Sequence, residues 1–260
     1  MRRETLKISI ITVCFNSSKT ICDTIDSVLK QNYKNIEYIL VDGNSKDNTV
    51  EIIKKYETIF RKNGMDYIWV SEVDNGIYDA INKGIKMATG DIIGILNADD
   101  YYYDDHVLAD IVKKFDNQLI DCIYGNLIYI DSNQNNRISR RWVSKEFKKG
   151  LFEKSWTPAH PTFYCKKELY IKYGLYRTDF KIASDVELMY RFLDKHYLRS
   201  LYIDRYMVIM RQGGVSNRGI ASTITITKEM KIAINENGGK FNIFKYLIYK
   251  CLKIKQFIKK

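Results

Sequence analysis

No stretch of this chain approaches the roughly 18 consecutive apolar residues of a membrane-spanning helix, so a span is not expected and any bilayer contact would be peripheral. Ile8 to Phe15 is apolar but short, carries Ser9 and Thr12, and is followed by no small-residue cleavage site; it reads as a strand rather than an export signal, and a cytoplasmic protein is expected. The five cysteines (Cys14, Cys22, Cys122, Cys165, Cys251) are scattered and form no C-x-x-C pair. That argues against the common zinc and dithiol redox sites and leaves reduced, buried thiols. Glycine is missing from Cys14 to Ser18, directly after the first expected strand. Both a nucleotide-sugar pyrophosphorylase and a dinucleotide oxidoreductase want a glycine-rich phosphate loop there. Internal repeats and low-complexity runs are also lacking, and one continuous domain with two functional halves is expected.

What is present begins with charge. The 260 residues carry 42 basic and 31 acidic side chains, net +11. Lys240 to Lys260 holds seven lysines and no acid, which leaves the body of the protein close to neutral. Phe244, Leu247, Ile248, Cys251, Ile254 and Ile258 recur there at helical spacing, as an amphipathic helix on anionic lipid would require. No base-reading motif accompanies the lysines, so nucleic acid is not an expected partner.

Over roughly the first hundred residues two kinds of segment alternate. Lys7–Phe15, Ile36–Asp42, Tyr67–Glu72 and Asp91–Asn97 are short and rich in β-branched or aromatic residues. Between them, Ile21/Ile25/Val28/Leu29, Val50/Ile53/Phe60 and Ile77/Ile81/Ile85/Ala88 each share a helix face. Strand and helix taking turns predicts βαβ units, a mainly parallel sheet, and ligands beyond the carboxyl ends of the strands. The polar residues at those ends are Asn16–Ser18, Asp42–Ser45, Asp74–Gly76, and Asn97, Asp99 and Asp100. As helix caps, Ser17, Ser45 and Asn75 would be ordinary; four polar tips together favour a site. Strand alternation predicts Asn97 and Asp99 on one side, Ala98 and Asp100 on the other. Acids crowded at a buried strand end raise each other's pKa unless a cation sits among them, and an all-oxygen set suits Mg²⁺ or Mn²⁺. Further on, a helix through Val107, Leu108, Ile111, Val112 and Phe115, with Asp104 and Asp105 in its first turn, a strand over Cys122–Ile130, a helix over Asp185–Leu193 and a strand or strand pair over Arg199–Met210 are expected.

The segments "SIITVCFNS", "VDGNSKDNT", "DNGIYDAINKGIKMATGDIIGILNADD", "HPTFYCKK", "ASDVELMYRF" and "RQGGVS" occur in an order that resembles the inverting family-2 glycosyltransferases, over about Lys7 to Ser216. The resemblance is to the small, non-processive bacterial members that build O-antigen or capsule polysaccharide. It implies an α/β GT-A fold: a Rossmann-like, mainly parallel central sheet with helices on both faces and a small acceptor-side subregion. Residues 1–100 would bind the nucleotide sugar, 101–218 the acceptor and catalytic base, and 219–260 would form basic amphipathic C-terminal helices.

By the same resemblance Thr12, Asn16, Asp42, Asn44, Asp74, Tyr78, Lys83, Asn97, Ala98 and Arg211 would contact a UDP-linked donor. Asp99 and Asp100 would bind Mn²⁺ or Mg²⁺, although Asn97 stands where the D-x-D pattern has its first acid. Asp185 would be the general base, an N-terminal helix cap being its alternative role. His160, between Pro158 and Pro161, would face acceptor phosphate or metal. The implied partners are a polyprenyl-diphosphate-linked glycan and the inner face of the cytoplasmic membrane, with room for a homodimer. Two rivals are a nucleotidyltransferase of similar fold and a non-catalytic, membrane-associated nucleotide-sugar-binding protein.

Overall fold

The computed structural model describes residues 5–117, 119–134, 136–213 and 220–249. Its centre is a mixed sheet of nine strands among these residues, in the order β3-β2-β1-β4-β8-β6-β9-β5, with β7 paired to β6. The first half is parallel: β1 (Ile8–Cys14) lies between β2 (Ile36–Asp42) and β4 (Ile92–Ile95), and β3 (Asp66–Ser71) flanks β2. Ile8 is in register with both Ile36 and Ile92, so the three strands start level. Helices α1 (Ile21–Leu29), α2 (Thr49–Lys62) and α3 (Ile77–Met87) make the crossovers that parallel neighbours need.

β1 is buried along its whole length, and its residues divide by parity. Ile8 and Ile10 pack with Ile21, Ile25, Val28, Ile53 and Phe60 of α1 and α2; Ile11 and Val13 pack with Ile81 and Ile85 of α3. A two-sided sheet requires this, and it explains why β1 and β2 read as continuous apolar runs.

The second half departs from simple alternation. After β5 (Tyr101–Tyr102) and α4 (Val107–Phe115) comes β6 (Cys122–Asp131), with β7 (Arg137–Trp142) folded back on it. β8 (Tyr164–Lys166) runs antiparallel to both β4 and β6 and so stitches the halves into one sheet. α5 (Lys167–Tyr173) and α6 (Ser184–Tyr190), the latter continuing as a π-helical turn Arg191–Lys195, precede the long β9 (Ser200–Arg211). α7 (Ile220–Glu236) is docked through buried Met230, Ala233 and Ile234.

Several expectations need correction. Ile77 is exposed at the start of α3 although Ile81, Ile85 and Ala88 of its stripe are buried. Asp104 and Asp105 lie before α4, where Asp104 accepts a bond from the His106 amide (2.9 Å) and pairs with Arg205 (2.6 Å). β4 stops at Ile95, and residues 97–100 form a turn closed by Asp100 N–H to Asn97 O at 3.0 Å. The reason is local: three polar side chains in four residues favour a turn over a ladder. No described helix is long and apolar enough to cross a membrane, and none of the four described cysteines is disulfide-bonded.

Candidate active site

Parallel register brings the carboxyl ends of β1 to β4 to one edge. There the first two polar tips bond to each other, and the residues flanking α1, α2 and α3, Thr20, Asn48 and Gly76, make no side-chain cap bond. The Asn16 amide donates to Ser45 Oγ (2.8 Å) and Asn16 Oδ1 accepts from the Lys46 amide (2.8 Å). Asp47 takes the Ser18 amide (3.1 Å) and the Thr49 amide (3.1 Å), and bonds to the Thr49 hydroxyl first among the influences that hold its carboxyl far below the usual range.

Asp42 is fully buried where these loops meet. Its carboxylate accepts from the Ser45 amide (3.0 Å), the Ser45 hydroxyl and the Ser71 hydroxyl (2.6 Å). Asn44 has φ of 65° and holds Lys46 Nζ at 3.1 Å. Gly43 lets the next tip close in, because a Cβ there would stand 2.5 Å from Asp74 Oδ2. Asp74 Oδ1 accepts from the Gly76 amide at 2.9 Å. Phe15, 61% exposed, lies against the same spot, its ring 3.5 Å from where the Gly43 Cβ would be. Sequence reasoning missed this residue because it counted Phe15 within the first strand, which ends at Cys14.

Three expected donor contacts are turned elsewhere. Thr12 is fully buried, donating to Leu96 O (2.7 Å) and accepting from Tyr38 (3.0 Å), so it braces the sheet below the rim. Ala98 packs its methyl into the core. Tyr78 donates its hydroxyl to Ile182 O and stacks on Tyr176 with ring centroids 5.9 Å apart. Lys83 reaches the third tip, bonding Val73 O (3.0 Å) and Glu72 (2.9 Å).

At the fourth tip the turn over 97–100 joins Asn97 to Asp100, with Asn97 Nδ2 donating to Asp100 Oδ2 at 2.9 Å, where alternation would have paired Asn97 with Asp99. Asp100 is wholly buried and its Oδ1 has no hydrogen-bond partner; Asp99 beside it is only partly buried. Burial pushes both carboxyls up, and the neighbouring Asp99 charge raises Asp100 further, partly offset by Arg211. Such a pair is short of positive charge. An orphaned buried oxygen beside an accessible carboxylate fits a divalent cation that takes one or two carboxylates and fills its shell with phosphate and water. Among the described residues no three His, Cys, Asp or Glu side chains form a preformed metal cluster. Arg211 is fixed at this rim: it donates to Asp99 O (2.8 Å), pairs with Asp23 and lies 5.0 Å over the Tyr101 ring.

From the other half, the His160–Thr162 turn is anchored by Thr162, whose hydroxyl donates to Ala159 O at 2.7 Å. This aims His160 into the gap between the fourth tip and α6. Its Nδ1 stands 3.2 Å from Asp185 Oδ2 and its Nε2 3.5 Å from Asn97 Nδ2. Asp185, 18% exposed, sits one residue inside α6 and leaves Oδ1 unpartnered. Burial raises its pKa, against the pull of His160 and the first-turn amides. A buried carboxylate with an unused oxygen is suited to taking a proton.

The glycosyl transferase family 2 model matches residues 9–177. The chain belongs to this family. The PGL/p-HBAD biosynthesis glycosyltransferase of Mycobacterium bovis is 28% identical over 213 residues, 80% of this chain and 78% of that protein. Among solved structures, residues 1–349 of S. aureus TarS in complex with UDP-GlcNAc superpose with a TM-score of 0.63 at 17% identity, covering 96% of this chain and 72% of that one. The longer TarS chain is covered over 44% of its length. The mannosyltransferase PcManGT from Pyrobaculum calidifontis, in complex with GDP-Man and Mn²⁺, gives 0.65 at 18% identity, covering 95% and 70%. These likenesses establish the GT-A fold anticipated from the motif order. The family match ends before Asp185.

Proposed function

We propose that this glycosyltransferase moves a sugar from a nucleotide sugar, UDP-linked in the first instance, to a hydroxyl of a lipid-linked glycan acceptor, inverting the anomeric centre, in surface polysaccharide assembly of the O-antigen or capsule kind. The observation that carries the reading is the meeting of two half-sites: the polar tips of β1 to β4 on one side, and Asp185 facing them through His160 and Asn97 on the other. In this reading Asp42 exchanges a serine hydroxyl for a ring N–H of the base, and Phe15 covers the base from the exposed side. Asn16, Asn44, Asp74 and Lys83 border the ribose, diphosphate and sugar.

Asp99, with Asp100 behind it, would hold Mn²⁺ or Mg²⁺, which as a Lewis acid favours departure of the diphosphate. Arg211 adds fixed positive charge on the same rim and matches phosphate oxygens. Asp185 takes the proton of the acceptor hydroxyl as it attacks, and His160 holds the carboxylate toward the gap. One displacement turns an α-linked donor into a β-glycoside. Both the TarS complex with UDP-GlcNAc and the PcManGT complex with GDP-Man support a nucleotide-sugar donor.

The test is a panel of UDP- and GDP-sugars against a lipid-diphosphate monosaccharide, with and without Mn²⁺, comparing native protein with Asp99→Ala and Asp185→Asn. Both substitutions should abolish transfer; UDP affinity should fall in the first and persist in the second. Nucleotide-sugar binding without transfer in any arm would favour the non-catalytic rival, and wild-type turnover by Asp185→Asn would remove the base assignment.

A further inference from the structure

α7 reaches across to the segment that precedes Asp185 and holds it by its backbone. Glu229, a buried acid on this helix, accepts three consecutive main-chain N–H groups: Lys181 to Oε1 at 2.7 Å, and Ile182 and Ala183 to Oε2 at 3.0 and 2.8 Å. Ala183 is the residue flanking α6, and its carbonyl accepts the Glu187 amide at 3.0 Å. The carboxylate therefore grips the start of the helix on which Asp185 is the second residue.

The opposite side of the segment is held by α3, through Tyr78 to Ile182 O and through Asn82, which bonds both the N–H (3.0 Å) and the C=O (2.8 Å) of Tyr176. Apolar contact accompanies these bonds: Phe180 and Ala183 pack against Ala233 of α7. Residues 178–183 lie between α5 and α6 outside any strand or helix ladder, and three charge-assisted hydrogen bonds to one carboxylate fix their path.

We propose that Glu229 is a positioning residue for glycosyl transfer, setting where α6 begins and thereby the distance from Asp185 to the acceptor hydroxyl. The inference rests on the reading of Asp185 as the base. The hydrogen bonds of Glu229 go to the backbone before Asp185 and not to Asp42, Asp74, Asn97 or Asp99. It acts on one half-site only. Loss of the clamp should therefore slow proton removal without weakening donor binding, since small misplacements of a reacting group cost on the order of 10²-fold.

The experiment compares full-length Glu229→Ala and Glu229→Gln with the native protein and with Glu236→Gln, a change on the same helix that breaks only an exposed pair with Arg177. Readouts are kcat and donor KM for the nucleotide sugar the panel selects, UDP affinity by calorimetry, and thermal unfolding. Glu229→Ala should lower kcat roughly 10- to 100-fold with donor KM and UDP affinity within about twofold. Glu229→Gln, whose amide oxygen keeps part of the clamp, should recover some of that loss, and Glu236→Gln should match native. Should the alanine variant fail to fold, the glutamine variant carries the test with the same split at smaller size. Native kcat in the Glu229 variants, or loss of kcat and UDP affinity in parallel, overturns the proposal. If Asp185→Asn is inactive while the Glu229 variants are fully active, only the clamp is wrong; if Asp185→Asn turns over normally, the base reading itself has failed.

Discussion

Asp185 carries two opposed demands, and they give its replacement two opposite effects. Its carboxyl is raised by burial, so the folded protein favours the protonated form. The corresponding stability is fully present below the ordinary carboxylate range and is lost as pH rises through the raised value. At neutral pH the ionised group is thus a cost, and Asp185→Asn should raise stability by about 0.5–2 kcal/mol while lowering kcat by about 10² to 10⁴-fold. Thermal melts and UDP-release assays on the same preparation check both. The base works only when ionised, so the acid limb of kcat should lie above the ordinary aspartate range. His160 pulls the carboxyl down; His160→Ala should move that limb to higher pH, and a pH–kcat profile that stays in place would show the 3.2 Å contact to be idle.

Among single residues, legibility followed backbone regularity. Asp42, Asn97 and Asp99 could be placed because they end or directly follow buried strands of clear pattern. Thr12 could not, since periodicity does not say whether a hydroxyl on a two-sided strand faces ligand or a neighbouring tyrosine; Tyr38 claims it. The pairing of Asn97 with Asp100 was hidden by extending strand alternation past the point where the ladder stops. Glu229 left no local trace, because its partners lie more than forty residues earlier in the chain.

At the scale of elements, β1 to β4 and α1 to α3 were legible from hydrophobic period, and Ile36–Asp42 coincides with its expected span. β5, β7 and β8 were not anticipated. Each is short or at an edge, and depends on a partner remote in sequence: Tyr164 pairs with Gly94 and with Ile123. α7, the first part of the expected basic amphipathic stretch, buries Met230, Ala233 and Ile234 and leaves Ile224 and Ile232 exposed. Residues 243–249 are helical, with Tyr246 buried and Phe244 (77%), Leu247 and Ile248 exposed beside Lys245. Cys251, Ile254, Ile258 and the last five lysines lie outside the described residues. If this segment meets anionic lipid, Phe244→Asp with Leu247→Asp should reduce cosedimentation with phosphatidylglycerol vesicles several-fold and leave kcat on a soluble acceptor unchanged. Equal cosedimentation would assign the exposed face another purpose.

For the molecule as a whole, one sheet joins the parallel strands β1 to β4 to the second half of the chain without a break, through the antiparallel β8. Residues more than a hundred positions apart, such as Asp99 and Arg211, are thereby fixed on a common rim. If this rim binds the donor, a crystal structure with UDP and Mn²⁺ will hold uracil between Asp42 and Phe15, Mn²⁺ on Asp99, and the diphosphate directed toward the gap that Asp185 faces. Nucleotide bound away from the β1–β4 tips, or Mn²⁺ absent from Asp99 with nucleotide in place, would contradict it.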